Sequence, residues 1–241
     1  MTARVSTAMV LAAGFGKRLR PITDTVPKPL VPVGGRTMLD RALDAAEAAG
    51  IERAVVNVHY LGEQIIAHCA NRSTPATAIS DERDAILETG GGVVRALPLL
   101  GEAPFALLNA DTFWVDGGGP TLAAMTKAFD PERMDMLLLT AHLAHTTGHS
   151  GGIDFALDAD NRIARAPDKT GSGVIYAGAA VIDPAIFAGA HAEPHSLNRY
   201  FDRAIAAGRL FGHTLENGHW YTVGTPDGLA AVEAHLATGG I

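Results

Sequence analysis

Short apolar runs alternate with segments of helical periodicity along the first part of the chain. The runs predict buried strands at residues 8–11, 53–58, 76–79, 105–108 and 136–140. Between them, apolar positions at helical spacing predict helices at residues 38–49, 61–70, 93–97 and 122–129. Regular alternation of strand and helix is typical of a parallel sheet with helices on both faces.

Turn and cap residues place the ends of these elements. Thr37 is a suitable N-cap for the first helix, and Gly50 is well placed to end it. Residues 88–92, with the sequence ETGGG, predict a glycine-rich turn that leads into the helix at 93–97.

The pattern changes after about residue 150. Residues 153–157, 162–165 and 174–182 are strand-like, with no long helix between them, so we expect an antiparallel or mixed extension of the sheet. Two further helices are predicted at 197–207 and from Thr225-Pro226 onward, where Leu229, Val232 and Leu236 form the apolar stripe. The expected architecture is a three-layer α/β/α domain with a doubly wound mixed sheet, without repeats or linkers.

Composition narrows the class of protein. Of 241 residues, 47% are hydrophobic, which is enough for a sizeable core, and the net charge of −7 argues against nucleic acid as a partner. The single cysteine excludes an internal disulfide. No apolar stretch approaches the roughly 20 residues that span a bilayer, and no secretory pattern is visible, so we expect a cytoplasmic protein without a membrane partner.

The strongest chemical signal is the segment at residues 11–33, LAAGFGKRLRPITDTVPKPLVPV. Ala12, Ala13, Gly14 and Gly16 let the backbone approach a ligand closely and offer N–H groups to phosphate oxygens. Basic side chains follow at the end of a strand, where open α/β sheets usually bind ligands. Two other phosphate loops do not match, because Arg18 follows Gly-Lys where a P-loop has Ser or Thr, and Leu19 replaces the third glycine of a dinucleotide fingerprint.

Lys28 stands between Pro27 and Pro29. The proline rings fix their own φ, and Pro29 also restricts the backbone of Lys28. An ammonium on so stiff a backbone suits a phosphoryl group better than a solvated surface. A glycine-rich surface loop with solvated charges is the alternative interpretation of the whole segment.

LAAGFGKRLRP followed by PKPLVPV resembles the signature of the sugar-1-phosphate nucleotidyltransferases. Further matches occur in order along the chain, at Glu88-Thr89-Gly90-Gly91, Asn109-Ala110-Asp111 and residues 220–225. The resemblance implies the Rossmann-like fold of nucleotide-diphospho-sugar transferases, with one domain spanning 1–241. Its nucleotide-binding half would cover about 1–115 and its sugar-binding half about 116–241.

The resemblance also implies the substrates. The enzyme would join an NTP and a sugar 1-phosphate, releasing pyrophosphate. The short length, LETGGG and HWYTVGT are most similar to the bacterial uridylyltransferases that act on N-acetylmuramate 1-phosphate in cell-wall sugar recycling. UTP and that sugar phosphate are therefore expected, with a monomer or small homo-oligomer.

The resemblance implies roles for individual residues. Arg18 would grip the β- and γ-phosphates, and Lys28 would hold the α-phosphate and the attacking phosphate. The expected nucleotide-binding set is Leu11, Ala12, Ala13, Gly14, Gly16, Lys17, Arg18, Lys28, Glu82, Glu88, Thr89 and Gly90. Glu82 would help to read the base, with a solvated loop carboxylate as the alternative. Asn109, Asp154 and Gly178 would contact the sugar.

Asp111 is the expected Mg²⁺ ligand, because it follows a strand and a carboxylate suits this ion together with phosphate oxygens and water. A turn or capping aspartate is the alternative. Thr222 stands where the family usually has a second metal-binding aspartate. Either Asp111 and the phosphates suffice, or metal affinity is reduced, or catalysis has been lost.

Several alternatives stay open. Lys169 is the nearest candidate for the family's sugar-phosphate lysine, although a solvated lysine is the simpler interpretation. His142, His145 and His149 fit no common structural zinc spacing. Another function within the same chemistry is a hexose-1-phosphate or choline-phosphate nucleotidyltransferase with another NTP. A catalytically silent nucleotide-sugar-binding regulator is the alternative from a different class.

Overall fold

A computed structural model describes residues 4–239. The strands are β1 (Thr7–Leu11), β2 (Pro32–Val33), β3 (Arg36–Thr37), β4 (Arg53–Val58), β5 (Ala76–Asp81), β6 (Phe105–Asn109), β7 (Thr112–Val115), β8 (Met136–Ala141), β9 (Thr146–Thr147), β10 (Phe155–Leu157), β11 (Ile163–Arg165), β12 (Ile175–Ile182), β13 (Leu210–Thr214) and β14 (His219–Thr222). The α-helices are α1 (Met38–Ala48), α2 (Gly62–Cys69), α3 (Glu88–Leu100), α4 (Thr121–Ala128), α5 (Asn198–Ala206) and α6 (Pro226–Ala237). Within the described range, no helix has both the length and the apolar character needed to cross a membrane.

The central sheet has seven strands in the order β13-β8-β12-β6-β1-β4-β5. All neighbouring pairs are parallel except those of β12, which runs antiparallel to both β6 and β8. The predicted mixed sheet is therefore confirmed. Leu11 is in register with Asn109, so β1 and β6 end together at one edge of the sheet.

Helices cover both faces of the sheet, as the alternating pattern predicts. On one face α1, α2 and α4 pack through side chains such as Leu43, Ile65 and Met125. On the other face α3 and α5 pack through side chains such as Val93 and Phe201. The three-layer α/β/α arrangement is confirmed, and each face contributes its own apolar core.

A smaller core lies at one end of the domain. It brings together the loop after β1, strands β7 and β14, and helix α6. Leu19 and Val31 of the loop pack here with Tyr221 and Val232. The loop with the strongest chemical signal is thus anchored against the C-terminal part of the chain.

The expected extension of the sheet is only partly correct. β12 joins the central sheet, but β10 and β11 form a separate two-stranded sheet, connected to neighbouring segments only by isolated bridges at Phe155–Val174 and Arg162–Phe211. Since β12 already has β6 and β8 on its two sides, it leaves no free edge for them. β13 enters instead, parallel to β8, and the sequence pattern did not predict it.

The predicted glycine-rich turn at 88–92 is wrong, because α3 begins at Glu88. Glycine disfavours helix, but tertiary contacts require it here. The Gly90 N–H donates to the His195 carbonyl at 2.8 Å. A Cβ on Gly91 would overlap the Glu193 carbonyl, and one on Gly92 would lie 2.8 Å from Glu82 Oε1. The glycines let the helix approach these two segments closely.

Candidate active site

Lys28 and Asp111 form an ion pair at the carboxyl edge of the sheet. Asp111 lies in the short link between β6 and β7, and Lys28 lies in the loop after β1. Lys28 Nζ is 2.7 Å from Asp111 Oδ2. The lysine side chain is 11% exposed and the aspartate side chain 41%. The ammonium is thus enclosed by protein, while the carboxylate opens to a cleft.

Arg18 approaches the same region from the preceding part of the loop. Its Nη2 lies 3.5 Å from the point where a Cβ on Gly224 would stand. The neighbouring Val223 N–H donates to the Asp111 carbonyl at 3.2 Å. The chain after β14 therefore passes close to Arg18 and donates a hydrogen bond to Asp111. The structure brings Arg18, Lys28 and Asp111 to one end of the sheet.

Thr222 lies beside this group. Thr222 pairs with Thr112 across strands β14 and β7. Thr112 is the residue after Asp111, and Thr222 is the residue before Val223. No cluster of three or more His, Cys, Asp or Glu side chains suitable for a metal occurs in residues 4–239. A divalent cation at this edge would have the Asp111 carboxylate as its charged protein ligand. That donor set fits Mg²⁺, which keeps several waters and takes one or two carboxylates together with substrate phosphates.

A cleft of about 480 Å³ adjoins this edge of the sheet. Eight of the predicted site residues line it: Leu11, Ala13, Gly14, Glu82, Glu88, Thr89, Asn109 and Asp111. A Cβ on Gly14 would meet no atom within 4 Å, so the backbone there faces open space. The cleft can thus receive a ligand that approaches the main chain closely.

A buried polar chain supports the floor of this cleft. The Ala12 N–H donates to Asn57 Oδ1 at 2.7 Å, and Asn57 Nδ2 donates to Glu82 Oε1 at 2.8 Å. Glu82 is only 2% exposed, and burial raises the pKa of its carboxyl. His59 Nδ1 donates to the Glu82 carbonyl at 2.7 Å. Glu82 is therefore not a solvated loop carboxylate, and the Ala12 N–H is already occupied.

The sequence signal for Asn57 is a polar residue inside an apolar run. An amide interrupts the apolar strand β4, and it is 2% exposed. A buried side-chain amide needs hydrogen-bond partners. Here the partners are Ala12, just after β1, and Glu82, just after β5. Phe15, His59, Ile86, Leu87 and Ser196 also line the cleft without having been singled out.

Three other predicted nucleotide-binding residues shape the loop and helix around the cleft. The Gly16 carbonyl accepts from Leu19 N–H at 2.8 Å, and its φ of +64° lies in the region that favours glycine. Lys17 Nζ lies 5.0 Å from the Phe15 ring centroid. The Gly90 N–H donates to the His195 carbonyl in the loop before α5. Their contact with a nucleotide stays a prediction.

A second cavity of about 230 Å³ adjoins the first. The two share the lining residues Leu11, Thr89, Asn109 and Ser196. Asp154, predicted on the sugar side, lines only the second cavity. Its Oδ2 accepts from Tyr176 N–H at 3.0 Å, and Lys169 Nζ lies 3.6 Å from its Oδ1.

Gly178 lies in an irregular part of β12 beside Asn109. Its φ is +78°, and a Cβ there would overlap Thr112 Oγ1 and lie 3.3 Å from Asn109 Cβ. Only glycine fits both the backbone conformation and the space. Gly178 therefore fixes how closely β12 approaches the end of β6, where Asn109 separates the two cavities.

Tyr176 also lines the second cavity, and sequence analysis missed it. Its hydroxyl is buried and has no hydrogen-bond partner among the described residues. Burial raises the pKa of the phenol, and the negative charge of Asp111 adds to the shift. A buried hydroxyl without a partner is uncommon in folded proteins and marks a position where a ligand can supply one.

The chain is similar to known proteins along nearly its whole length. The sequence profile of the family described as "Nucleotidyl transferase" matches residues 7–239. The N-acetylmuramate alpha-1-phosphate uridylyltransferase of Caulobacter vibrioides is 41% identical, over 95% of this chain and 96% of the relative. The protein of the same name from Neisseria meningitidis is 34% identical, over 90% and 93%.

Solved structures share the fold at lower identity. A UDP-glucose pyrophosphorylase complexed with UDP-glucose has a TM-score of 0.76 and 17% identity, covering 97% of this chain and 99% of that one. The inositol-1-phosphate CTP transferase of T. maritima has a TM-score of 0.74 and 18% identity, covering 97% and 98%. These likenesses confirm the fold of the nucleotide-diphospho-sugar transferases. Because the profile matches residues 7–239 and two relatives align over nine-tenths or more of the chain, this chain belongs to the nucleotidyl transferase family.

Proposed function

We propose that this enzyme transfers the uridylyl group of UTP to N-acetylmuramate 1-phosphate, giving UDP-N-acetylmuramate and pyrophosphate. Two relatives that align over nine-tenths or more of the chain carry this activity in their names. Mannose-1-phosphate guanyltransferases such as that of Aspergillus fumigatus are 28% identical, and this chain covers 61% of that relative. The more similar relatives therefore favour UTP and the muramate.

The observation that carries the proposal is the Lys28–Asp111 pair, whose carboxylate lines the larger of two adjoining cavities. Asp111 lines the larger cavity, whose other walls are the glycine loop and the start of α3. The smaller cavity continues past Asn109 toward Asp154. A nucleotide in the first and a sugar in the second would meet beside the ion pair. Adjacent sites for two substrates are what a group transfer requires.

The reaction is an in-line displacement at the α-phosphorus of UTP. A phosphate oxygen of the sugar phosphate forms the new bond to that phosphorus, and the bond to the bridging oxygen of the β-phosphate breaks. Lys28 would neutralise charge on the α-phosphate and on the attacking phosphate. Arg18 would bind the departing pyrophosphate through two N–H groups. Catalysis of this kind consists mainly of positioning and charge stabilisation.

Mg²⁺ belongs to the proposal, with Asp111 as the residue that would hold it. The ion would neutralise negative charge on the phosphates. Lys28 and the ion would then share the carboxylate, which is half exposed on the cleft side. Thr222 offers a neutral hydroxyl in place of a second carboxylate, so we expect a weakly held ion that arrives with the nucleotide.

The first cavity would hold the nucleotide. Gly14 faces open space, so the loop can approach the ribose and phosphates closely. Glu88 and Thr89 at the start of α3 line the opposite wall, together with Glu82. Glu82 is buried with a raised pKa, and its carboxyl would present a hydrogen-bonding edge to the base. The proposal places the enzyme in the cytoplasm, as a monomer or small homo-oligomer, with no nucleic acid or membrane as partner.

The proposal is tested by pyrophosphate release over a panel of substrates. Purified protein with Mg²⁺ is given UTP, CTP, GTP, ATP and dTTP, each with N-acetylmuramate, N-acetylglucosamine, glucose and mannose 1-phosphates and with choline phosphate. We expect the highest kcat/KM for UTP with N-acetylmuramate 1-phosphate. Turnover of hexose 1-phosphates without turnover of the muramate would overturn the substrate assignment. Binding of UTP without any turnover would identify a silent regulator.

A further inference from the structure

We infer that Arg165 recognises a carboxylate on the sugar ring, which makes it the residue that selects an acidic sugar phosphate. The inference rests on the proposed function, because N-acetylmuramate carries a lactyl ether that ends in a carboxylate. N-acetylglucosamine is the same sugar without that group. A cation placed away from the reacting phosphate would distinguish the two.

Arg165 is in the right place for this role. It lines the smaller cavity and not the larger one, whereas Asp111 lines the larger and not the smaller. Asn109 belongs to both cavities and so lies between them. The reacting phosphates would gather near Asp111, which leaves Arg165 at the far side of the sugar.

The charges around the cavity point to one unassigned cation. Asp154 and Arg165 are its charged lining residues. The Asp154 carboxylate already has partners within the protein. It accepts a hydrogen bond from Tyr176 N–H and lies beside the Lys169 ammonium. The Lys169 side chain is 73% exposed and does not line the cavity. Arg165 is therefore the basic group that a sugar in this cavity would meet.

The guanidinium of Arg165 is held in place before any ligand arrives. It lies 5.0 Å from the Phe155 ring centroid, on the cavity wall. Its Nε donates to Asp202 Oδ1 at 2.9 Å, and its Nη2 donates to Asn198 Oδ1 at 3.0 Å and lies 2.9 Å from Asp202 Oδ1. Its Nη1 has no hydrogen-bond partner among residues 4–239. A tethered guanidinium with an unused edge loses little freedom on binding a carboxylate.

Asp202 does not cancel this role. Its side chain is 63% exposed and lies outside the cavity lining, so water screens its charge. The Arg165 side chain is 41% exposed. A ligand carboxylate would be bound on the cavity side of the guanidinium, while Asp202 fixes the orientation of the group. A cation positioned to bind a carboxylate is left unpaired when the substrate analogue lacks that group, so the site favours the substrate that has it.

The test compares kcat/KM for N-acetylmuramate 1-phosphate and N-acetylglucosamine 1-phosphate, both with UTP and Mg²⁺. The variants are Arg165→Gln and, as a matched control, Arg162→Gln. Arg162 immediately precedes β11, donates to Asp160 Oδ2 at 2.8 Å and lies outside the cavity lining. We expect Arg165→Gln to lower kcat/KM for the muramate about 10- to 100-fold, the range for a hydrogen bond to a charged group. The glucosamine substrate should change less than about 3-fold, and Arg162→Gln should change neither.

Other results would overturn the inference in distinguishable ways. An equal loss on both sugars with Arg165→Gln would mean that the arginine only supports the fold. A selective loss with Lys169→Met and none with Arg165→Gln would assign the carboxylate to Lys169. If the unaltered enzyme turns over the muramate and keeps its preference in Arg165→Gln, only this inference fails. If the unaltered enzyme does not turn over the muramate at all, the proposed function fails and the inference falls with it.

Discussion

The Lys28 ammonium lies 2.7 Å from the Asp111 carboxylate, although the two residues are 83 positions apart in sequence. The pair compensates a lysine side chain that is almost enclosed. It also places the cation that would bind phosphate and the carboxylate that would bind Mg²⁺ in direct contact. A phosphate beside Lys28 and a metal ion beside Asp111 would each add an opposite charge to the pair, so neither side chain would be left uncompensated.

Replacing Lys28 with methionine should lower kcat about 100- to 1000-fold, the usual loss when one preorganised donor is removed from a transition state. Methionine is unbranched and one atom shorter than lysine, so the change mainly removes the charge. Pyrophosphate release under saturating substrates measures the effect. Lys127→Met on the exposed side of α4 is the control and should behave as the unaltered enzyme. Equal rates for Lys28→Met and Lys127→Met would remove Lys28 from the mechanism.

Replacing Thr222 with aspartate should lower the Mg²⁺ concentration needed for half-maximal rate. The new carboxylate would stand beside Asp111, where β14 passes the end of β6, and would supply a second charged ligand. A Mg²⁺ titration at fixed UTP is the measurement. Thr225→Asp adds the same charge three residues away and keeps the helix cap, because aspartate caps as well as threonine. An unchanged or higher Mg²⁺ requirement in Thr222→Asp would show that this position does not face the metal.

Replacing Gly91 with alanine should destabilise the protein, although the same change in a free helix stabilises by about 1 kcal/mol. The added Cβ would overlap the Glu193 carbonyl, and overpacking typically costs about 1–3 kcal/mol. Thermal unfolding measures it, since a domain of this size loses about 2–4 °C in Tm per kcal/mol. Gly118→Ala is the control, because its Cβ would meet no atom within 4 Å. A Tm at or above that of the unaltered protein would contradict the packing argument.

The buried carboxyl of Glu82 should make stability depend on pH. Its pKa is raised from 4.5 in the folded protein, so the folded state binds more protons than the unfolded state between the two pKa values. The free energy of unfolding contributed by Glu82 therefore falls as pH rises from 4.5 through the folded pKa. Glu82→Gln keeps the acceptor for Asn57 and removes the charge. We expect the stability of this variant relative to the unaltered protein to rise over that pH window and then level off.

Urea unfolding of both proteins at a series of pH values measures this difference. Asp84→Asn is a useful comparison, because its side chain is 67% exposed and the hydrogen bond from Arg95 lowers the pKa of its carboxyl. That variant should show the opposite sign, with its contribution lost as pH falls. A stability difference between Glu82→Gln and the unaltered protein that is independent of pH would show that Glu82 is solvated.

Replacing Tyr176 with phenylalanine should separate stability from substrate binding. The hydroxyl is buried without a partner, and such a group costs about 1–3 kcal/mol, so its removal should maintain or raise Tm. If the sugar phosphate supplies the missing partner, KM for that substrate should rise about 10-fold while KM for UTP stays constant. Thermal unfolding and substrate titrations measure the two effects. A lower Tm together with an unchanged KM would mean that the hydroxyl has a purely structural role.

The site of this enzyme could be predicted from sequence only in part. Local patterns located the glycine loop, Lys28 and Asp111, because each motif is a short run of residues with a defined chemistry. Asn57, Tyr176 and Arg165 escaped notice, because each is an ordinary residue until the chain brings it to a cavity. Their importance comes from neighbours that are distant in sequence, such as Glu82 for Asn57.

What the sequence alone determined is the α/β class, most helices and strands, and the position of the glycine-rich, basic loop after the first strand. Periodicity and caps are local, so they can be recognised without knowing the partners. Tertiary structure decided that β12 runs antiparallel inside the sheet, that β10 and β11 form their own hairpin, and that ETGGG is helical. It also decided that Lys28 meets Asp111. These outcomes depend on which strand edges are free and on how closely two backbones can approach, and both are properties of the packed chain.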